Sequence, residues 1–262
     1  MSLYCIAEHL KNGTVTGLRE ACEAREVPVV FVDPLGGWED AQPGEGDAVW
    51  RCSSSAAARE VEIALIGGGS LHPFTSRDRA LLAIDDVPSA LRAIGFPVRP
   101  ALRVGRPGDR DRLRAQVTRL GGFPVTLLAG GTDGEAVLVD GFPALFSIVD
   151  YLDWCKDALW LLRGEAWHAR REVYVVGGRV IGGVDSWTYS HWRRNTKPGP
   201  DDHLAVTVAE ALGLRCARVV LSWDEAQRPH VVDAGFPVRL ARGVVAPCSR
   251  AIVEHLVSEG LR

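Results

Sequence analysis

Lysine is scarce in this sequence: Lys11, Lys156 and Lys197 are the only ones among 30 basic residues, so arginine carries nearly all the positive charge. Cysteines at spacings that would pair are missing too. The six cysteines, at positions 5, 22, 52, 155, 216 and 248, contain no C-x-x-C. That scatter argues against a structural zinc site and a disulfide framework, and it fits a reducing, cytoplasmic setting. No apolar run reaches membrane-spanning length, and the first residues lack the basic-then-apolar layout of a signal peptide. A net charge of −3 argues against a dedicated nucleic-acid binder. None of the seven histidines stands at H-x-x-x-H spacing from another, and no G-x-S-x-G is present, so zinc-hydrolase and α/β-hydrolase chemistry have no anchor. There is no internal repeat and no low-complexity tract.

What is present reads as a globular chain. The 262 residues are 47% hydrophobic and 24% charged, enough to bury a sizeable core in one large domain or two small ones. Leu3–Ala7, Val27–Val32 and Ala48–Cys52 are short apolar runs, with a helical pattern over Thr14–Arg25 (Val15, Leu18, Ala21, Cys22) between the first two. Strand, helix, strand opens a parallel α/β layer. Ser53 is the expected cap of a helix carrying Ala57, Val61, Ala64 and Leu65, stopped by Gly67-Gly68-Gly69. Residues 70–75 read as a boundary. Ser76 then caps a short helix with Arg77, Asp78 and Arg79, and Pro88 opens another that ends near Gly95.

The second part mixes strands and helices. Strands are expected over Ala101–Val104, Phe123–Leu128, Glu135–Val139, Ala158–Leu162, Arg215–Trp223 and His230–Asp233. Helices are expected over Asp109–Leu120, Pro143–Trp154, Asp201–Leu212 and Arg250–Leu261. The centre of the chain is Arg170–Gly199, where two β-branched runs flank Gly177-Gly178 and read as a tight hairpin. Beyond it come Trp187, Tyr189, His191, Trp192, Arg193, Arg194, Asn195 and Lys197, a set of cations and an amide suited to an anion. Asp201-Asp202 reads as a helix N-terminus favoured by the macrodipole.

Four segments now fall into one order: Ser76-Arg77-Asp78-Arg79, the loop Gly130-Gly131-Thr132-Asp133-Gly134 between two strands, the hairpin ending in Arg193-Arg194-Asn195, and Asp233-Ala234-Gly235-Phe236-Pro237. This order resembles the ATP-grasp superfamily, and most closely its RimK-like branch of carboxylate–amine ligases. The resemblance implies an α/β fold with α+β lobes: a small α/β pre-ATP-grasp domain over residues 1–74, then an ATP-grasp domain over 75–262. Within it, residues 75–162 form the small lobe with the Gly-rich loop and 163–262 the large lobe. The family clamps ATP between its lobes and activates a carboxylate as an acyl phosphate, which an amine then attacks. Cations on the phosphates and acidic or amide ligands for magnesium serve that chemistry.

Carried over residue by residue, the resemblance puts Arg79, Gly130, Gly131, Thr132 and Gly134 on the nucleotide, Arg193 and Asn195 at the transferred phosphoryl group, and Asp233 on magnesium. Plainer readings stand beside these: Asp-Gly is a turn signal by itself, and arginines in a helix's first turn or a loop are ordinarily solvated. The pattern also departs from the family. Leu128 stands where a phosphate-binding lysine is usual, Val220 replaces an acidic ligand, Gly235 replaces an asparagine, and Arg170-Arg171-Glu172 reverses an Asp-x-Arg. The expectation is a protein that binds ATP or another nucleotide, with weakened Mg2+ binding and ligase chemistry impaired or absent. An active ligase with a reduced ligand set, acting on a small-molecule or peptide carboxylate, is the alternative. A non-catalytic subunit with a protein partner is the second; neither nucleic acid nor a membrane is expected as partner.

Overall fold

The computed structural model describes residues 1–9, 12–44, 46–53, 55–67, 91–98, 101–104, 109–129, 136–152, 159–163, 169–187, 199–224, 226–235, 240–241 and 243–260. Strands β1 (Leu3–Ile6), β2 (Val29–Val32) and β3 (Ala48–Arg51) form a parallel sheet in the order β2-β1-β3. A parallel sheet must be covered on both faces. Helix α1 (Gly13–Glu23) covers the face of Leu3, Cys5, Ala48 and Trp50 with Val15, Leu18 and Cys22, while helix α2 (Ala56–Gly67) covers Ile6 and Val49 with Ala58, Val61 and Leu65. Asn12 caps α1, its side-chain oxygen accepting from the Thr14 amide at 2.9 Å. The cap of α2 is Ser55 and not the expected Ser53: Ser55 Oγ accepts from the Ala58 amide at 3.1 Å, three residues on, the reach a capping hydroxyl has. Ser53 Oγ instead accepts from the Ser55 amide one step earlier.

Strands β4 (Ala101–Arg103), β5 (Val125–Ala129), β6 (Ala136–Val139) and β7 (Leu159–Arg163) make a second sheet, antiparallel throughout, in the order β4-β7-β5-β6. Helices α3 (Arg110–Arg119) and α4 (Phe142–Leu152) bring Leu113, Val117, Leu145 and Val149 to Val125, Leu127, Val139 and Leu161. The expected short helix at Ser76–Arg79 and the boundary at 70–75 lie outside the described residues. Of the helix expected from Pro88, only residues 91–93 are described, and Gly95 ends it at φ 88°.

The third sheet contains β8 (Ala169–Val176), β9 (Arg179–Trp187), β10 (Cys216–Trp223) and β11 (Pro229–Gly235), antiparallel in the order β11-β10-β8-β9. Gly177 and Gly178 close the β8–β9 hairpin at φ 55° and 72°, values that side chains resist and a tight hairpin needs. Helix α5 (Asp202–Ala211) packs Ala205, Val208 and Ala209 on the face of Val173, Val175, Ala217, Val219 and Leu221. One end of the opposite face, Tyr174, Val176, Val184 and Cys216, packs with helix α6 (Val245–Gly260), α1 and the first sheet in one core. Helix α6 begins at Val245, earlier than the expected Arg250, because Pro247 falls in the first turn, where its missing amide hydrogen has no intrahelical partner to lose. Cys5, Cys22, Cys52, Cys216 and Cys248 are buried free thiols, and burial pushes Cys22 and Cys248 up to about 12. No helix among the described residues is long and apolar enough to cross a membrane.

A buried arginine locks the hairpin to α5. Arg171 donates from Nε and Nη2 to the two oxygens of Asp202 at 2.7 and 2.9 Å, and from Nη1 to Asp185 at 2.7 Å. Asp202 therefore works through an ion pair as well as through the helix macrodipole, and it also takes the Gly199 amide at 2.8 Å. Gly183 gives the guanidinium its room, since a Cβ there would lie 2.6 Å from Arg171 Cζ. Breaking one side of a pair whose side chains are 4% and 3% exposed strands a buried carboxylate. Arg171→Met is expected to cost about 3–5 kcal/mol in urea denaturation. Arg171→Met/Asp202→Leu is expected to recover part of that loss; a single substitution costing under about 1 kcal/mol would contradict the clamp.

Candidate functional site: a charged face on the third sheet

Side chains alternate along a strand, so Arg170, Glu172 and Tyr174 of β8 face away from α5, while Arg171 and Val173 face toward it. The register extends that face across three strands. Glu172 pairs with Val220 and Val220 with Asp233, forming one row; Tyr174 pairs with Arg218 and Arg218 with Gly235, forming the next. A third row runs from Arg170 through Ser222 to His230. A bulge between Val220 and Leu221 in the β10–β11 register leaves Val232 as the extra residue and keeps Asp233 on this face.

Four charges on the face answer one another. Arg218 Nη1 donates to Asp233 Oδ2 at 3.2 Å, while its Nε and Nη2 reach Glu172 Oε2 and Oε1 at 3.3 and 3.4 Å. Arg170 Nη2 donates to Glu172 Oε1 at 2.6 Å, and the Tyr174 hydroxyl donates to Oε2 at 3.1 Å. Burial alone would raise the Glu172 carboxyl, but the Arg218 and Arg170 charges outweigh it and hold the group below its ordinary value. Burial likewise works against the Arg218 charge, and Glu172 and Asp233 overcome it, so Arg218 is held more firmly protonated than usual. Tyr174 is pushed up by burial and stays a donor, passing its oxygen's lone pair to the Ala241 amide at 3.0 Å. At the edge of the face, Ser222 Oγ is fully buried with no partner among the described residues.

Of the expected site residues, Asp233 is the one the described residues contain. Arg79, Gly130, Gly131, Thr132, Gly134, Arg193 and Asn195 lie outside them. Leu128 sits in β5 opposite Ala136 and Trp160, one residue before that strand's end. The residue that sequence reasoning passed over is Arg218. Its signal was present, since Arg218 and Val220 are two apart in one strand and so share a face.

The fit of a divalent ion to this face can be judged from the donors. Magnesium asks for one or two carboxylate oxygens at close range with room for waters. Both Glu172 oxygens already accept from Arg170, Arg218 and Tyr174, Asp233 accepts from Arg218, Val220 between them has no donor atom, and Gly235 has no side chain. No group of three His, Cys, Asp or Glu among the described residues could hold a metal ion. The described residues of this face do not fit a resident magnesium.

A three-stranded parallel sheet followed by two four-stranded antiparallel sheets is the architecture of the ATP-grasp fold, and comparison with solved structures shows that fold. The chain superposes on a RimK domain ATP-grasp protein from Sphaerobacter thermophilus with a TM-score of 0.69 at 20% identity, over 96% of this chain and 98% of that one. D-alanine–D-alanine ligase from Bacillus anthracis gives 0.73 at 12% identity, covering 100% and 98%. The macrocyclase MdnC from Microcystis aeruginosa, bound with its precursor peptide MdnA, gives 0.66 at 13%, covering 98% and 100%. No protein-family model and no curated protein matches the sequence.

The depressed Glu172 carboxyl gives the face a pH signature. Its stabilisation is present in full above the ordinary glutamate value of 4.5 and is lost as pH falls through the lower value of the folded chain. Glu172→Gln is therefore expected to be less stable than the parent by about 3 kcal/mol near neutral pH. The gap, followed by urea denaturation, is expected to stay constant down to about pH 5 and close on further acidification. A gap that is unchanged at the lowest pH would show that Glu172 is not ionised in the folded protein.

Proposed function

We propose that this protein binds ATP or another nucleotide over the charged face of β8, β10 and β11, and that carboxylate–amine ligation through an acyl phosphate is impaired or absent in it. The observation that carries the proposal is the linked set Arg170–Glu172–Arg218–Asp233, with Val220 and Gly235 in the same rows, on a fold whose solved examples include a D-alanine–D-alanine ligase. In this reading Arg79 and Arg193 supply the cations for an anion, while the oxygen donors that would activate phosphoryl transfer are reduced. Each missing electrostatic contact at such a transition state costs about 3 kcal/mol, and several together lower a rate by many powers of ten.

In this reading the division near residue 74 separates the parallel unit from the two nucleotide-binding lobes. Arg79, Gly130, Gly131, Thr132 and Gly134 meet the nucleotide phosphates, and Arg193 and Asn195 stand at the terminal phosphoryl group. Were ligation to survive, its substrate would be a small-molecule or peptide carboxylate, and the bound precursor peptide of MdnC makes a peptide carboxylate the first class to try. Buried free thiols and the absence of C-x-x-C spacing support a cytoplasmic setting.

Titration with a non-hydrolysable ATP analogue tests the proposal. A bidentate guanidinium–phosphate contact is charge-assisted, so Arg193→Ala is expected to weaken binding by roughly ten- to a hundredfold. Arg194→Ala, one residue on and pointing the other way if the strand continues, is expected to matter less. Equal losses for both would remove Arg193 from the site and leave a generally basic loop. No binding by the parent protein would sink the nucleotide reading.

A further inference from the structure

We propose that Arg218 is the built-in cation of this site: its guanidinium, held between Glu172 and Asp233, takes the place of a carboxylate-bound divalent ion, and the cleft receives its anion without a metal held by Asp233. The inference rests on the reading of this face as the nucleotide site and adds what neutralises charge within it. Arg218 reaches both carboxylates at once, Asp233 through Nη1 at 3.2 Å and Glu172 through Nε and Nη2 at 3.3 and 3.4 Å. A bridge between two carboxylates on β8 and β11, the strands either side of β10, is the position a metal ion would fill.

Three further observations keep an ion out while Arg218 is there. Among the described residues, the set Arg170, Arg218, Glu172 and Asp233 has two charges of each sign, so it presents no excess negative charge to draw a cation. Glu172 is 5% exposed and both its oxygens are taken, leaving Asp233, at 24%, as the one carboxylate a solvent ion can approach. A magnesium ion at bonding distance from Asp233 would then lie a few ångströms from the guanidinium, and like charges that close in a half-buried site repel strongly. There is room on the same strand two residues beyond Asp233, where a Cβ at Gly235 meets nothing within 4 Å. The obstacle to a metal is therefore charge, and removing the charge should admit one.

Manganese alone, counted by the electron-spin-resonance signal of the free ion, tests this on the full chain. The parent protein is expected to leave the ion free, and Arg218→Gln to bind it more tightly by roughly a hundredfold, the weight of removing a like charge at this range. Adding Asp233→Asn to Arg218→Gln is expected to abolish the gain. Should Arg218→Gln fail to fold, Arg218→Gln/Glu172→Gln removes the cation together with one buried carboxylate and leaves Asp233 to report in the same way. Manganese bound by the parent and lost in Asp233→Asn would overturn the proposal. So would a folded Arg218 variant that gains nothing. Failure of the parent to bind any nucleotide while Arg218→Gln gains manganese would sink the nucleotide reading and leave the role of Arg218 standing.

Discussion

A buried charge must be met by another, and strand β8 places three in succession, Arg170, Arg171 and Glu172, all under 9% exposed. Because a strand sends neighbours to opposite faces, one short run has to be answered twice. Arg171 is answered on the helix side by Asp202 and Asp185, which fixes α5 and the β8–β9 hairpin to each other. Arg170 and Glu172 are answered on the other side by each other and by Arg218, which draws in β10 and, through Asp233, β11. The third sheet owes its register and its chemistry to the same three residues.

That economy sets the charge balance of the face. In place of Val220 an acidic residue would bring a third carboxylate into the row of Glu172 and Asp233, and a metal would be needed to balance it. With valine there, two carboxylates face two arginines among the described residues. Arg218 is held protonated by Glu172 and Asp233 against the pull of burial, so the pairing does not depend on pH in the neutral range. The core on either side supports this arrangement without sharing its charges: Val173, Val175, Val219 and Leu221 beneath it are fully apolar.

Much of the fold could be read in the sequence because its elements are short, strongly patterned and well punctuated. Gly177-Gly178 announced the hairpin, the spacing of Val15, Leu18, Ala21 and Cys22 the first helix, and the β-branched runs their strands. Where the reading slipped, local chemistry decided: Ser55 and not Ser53 stood three residues before a free amide, and the last helix starts at Val245, with Pro247 in its first turn, ahead of the expected Arg250. The site was less legible. Asp233 was visible as a carboxylate in a closing motif, but its partner depends on the pairing of β10 with β11 and of β10 with β8. Arg218 and Glu172 are 46 residues apart in the chain, and no local pattern reports such a register. Parity along β10 put Arg218 and Val220 on one face, and attention to the missing acid at Val220 concealed the cation beside it.

The central claim is that this site neutralises charge with arginine and without a protein-held metal. The most direct measurement is a calorimetric titration of the unmodified protein with a non-hydrolysable ATP analogue, once with magnesium and once with a chelator. The account expects the two affinities to agree within about threefold, because nothing on the face gains from the ion. A magnesium-dependent gain of about a hundredfold or more would contradict it, since that gain requires oxygen donors this face does not offer.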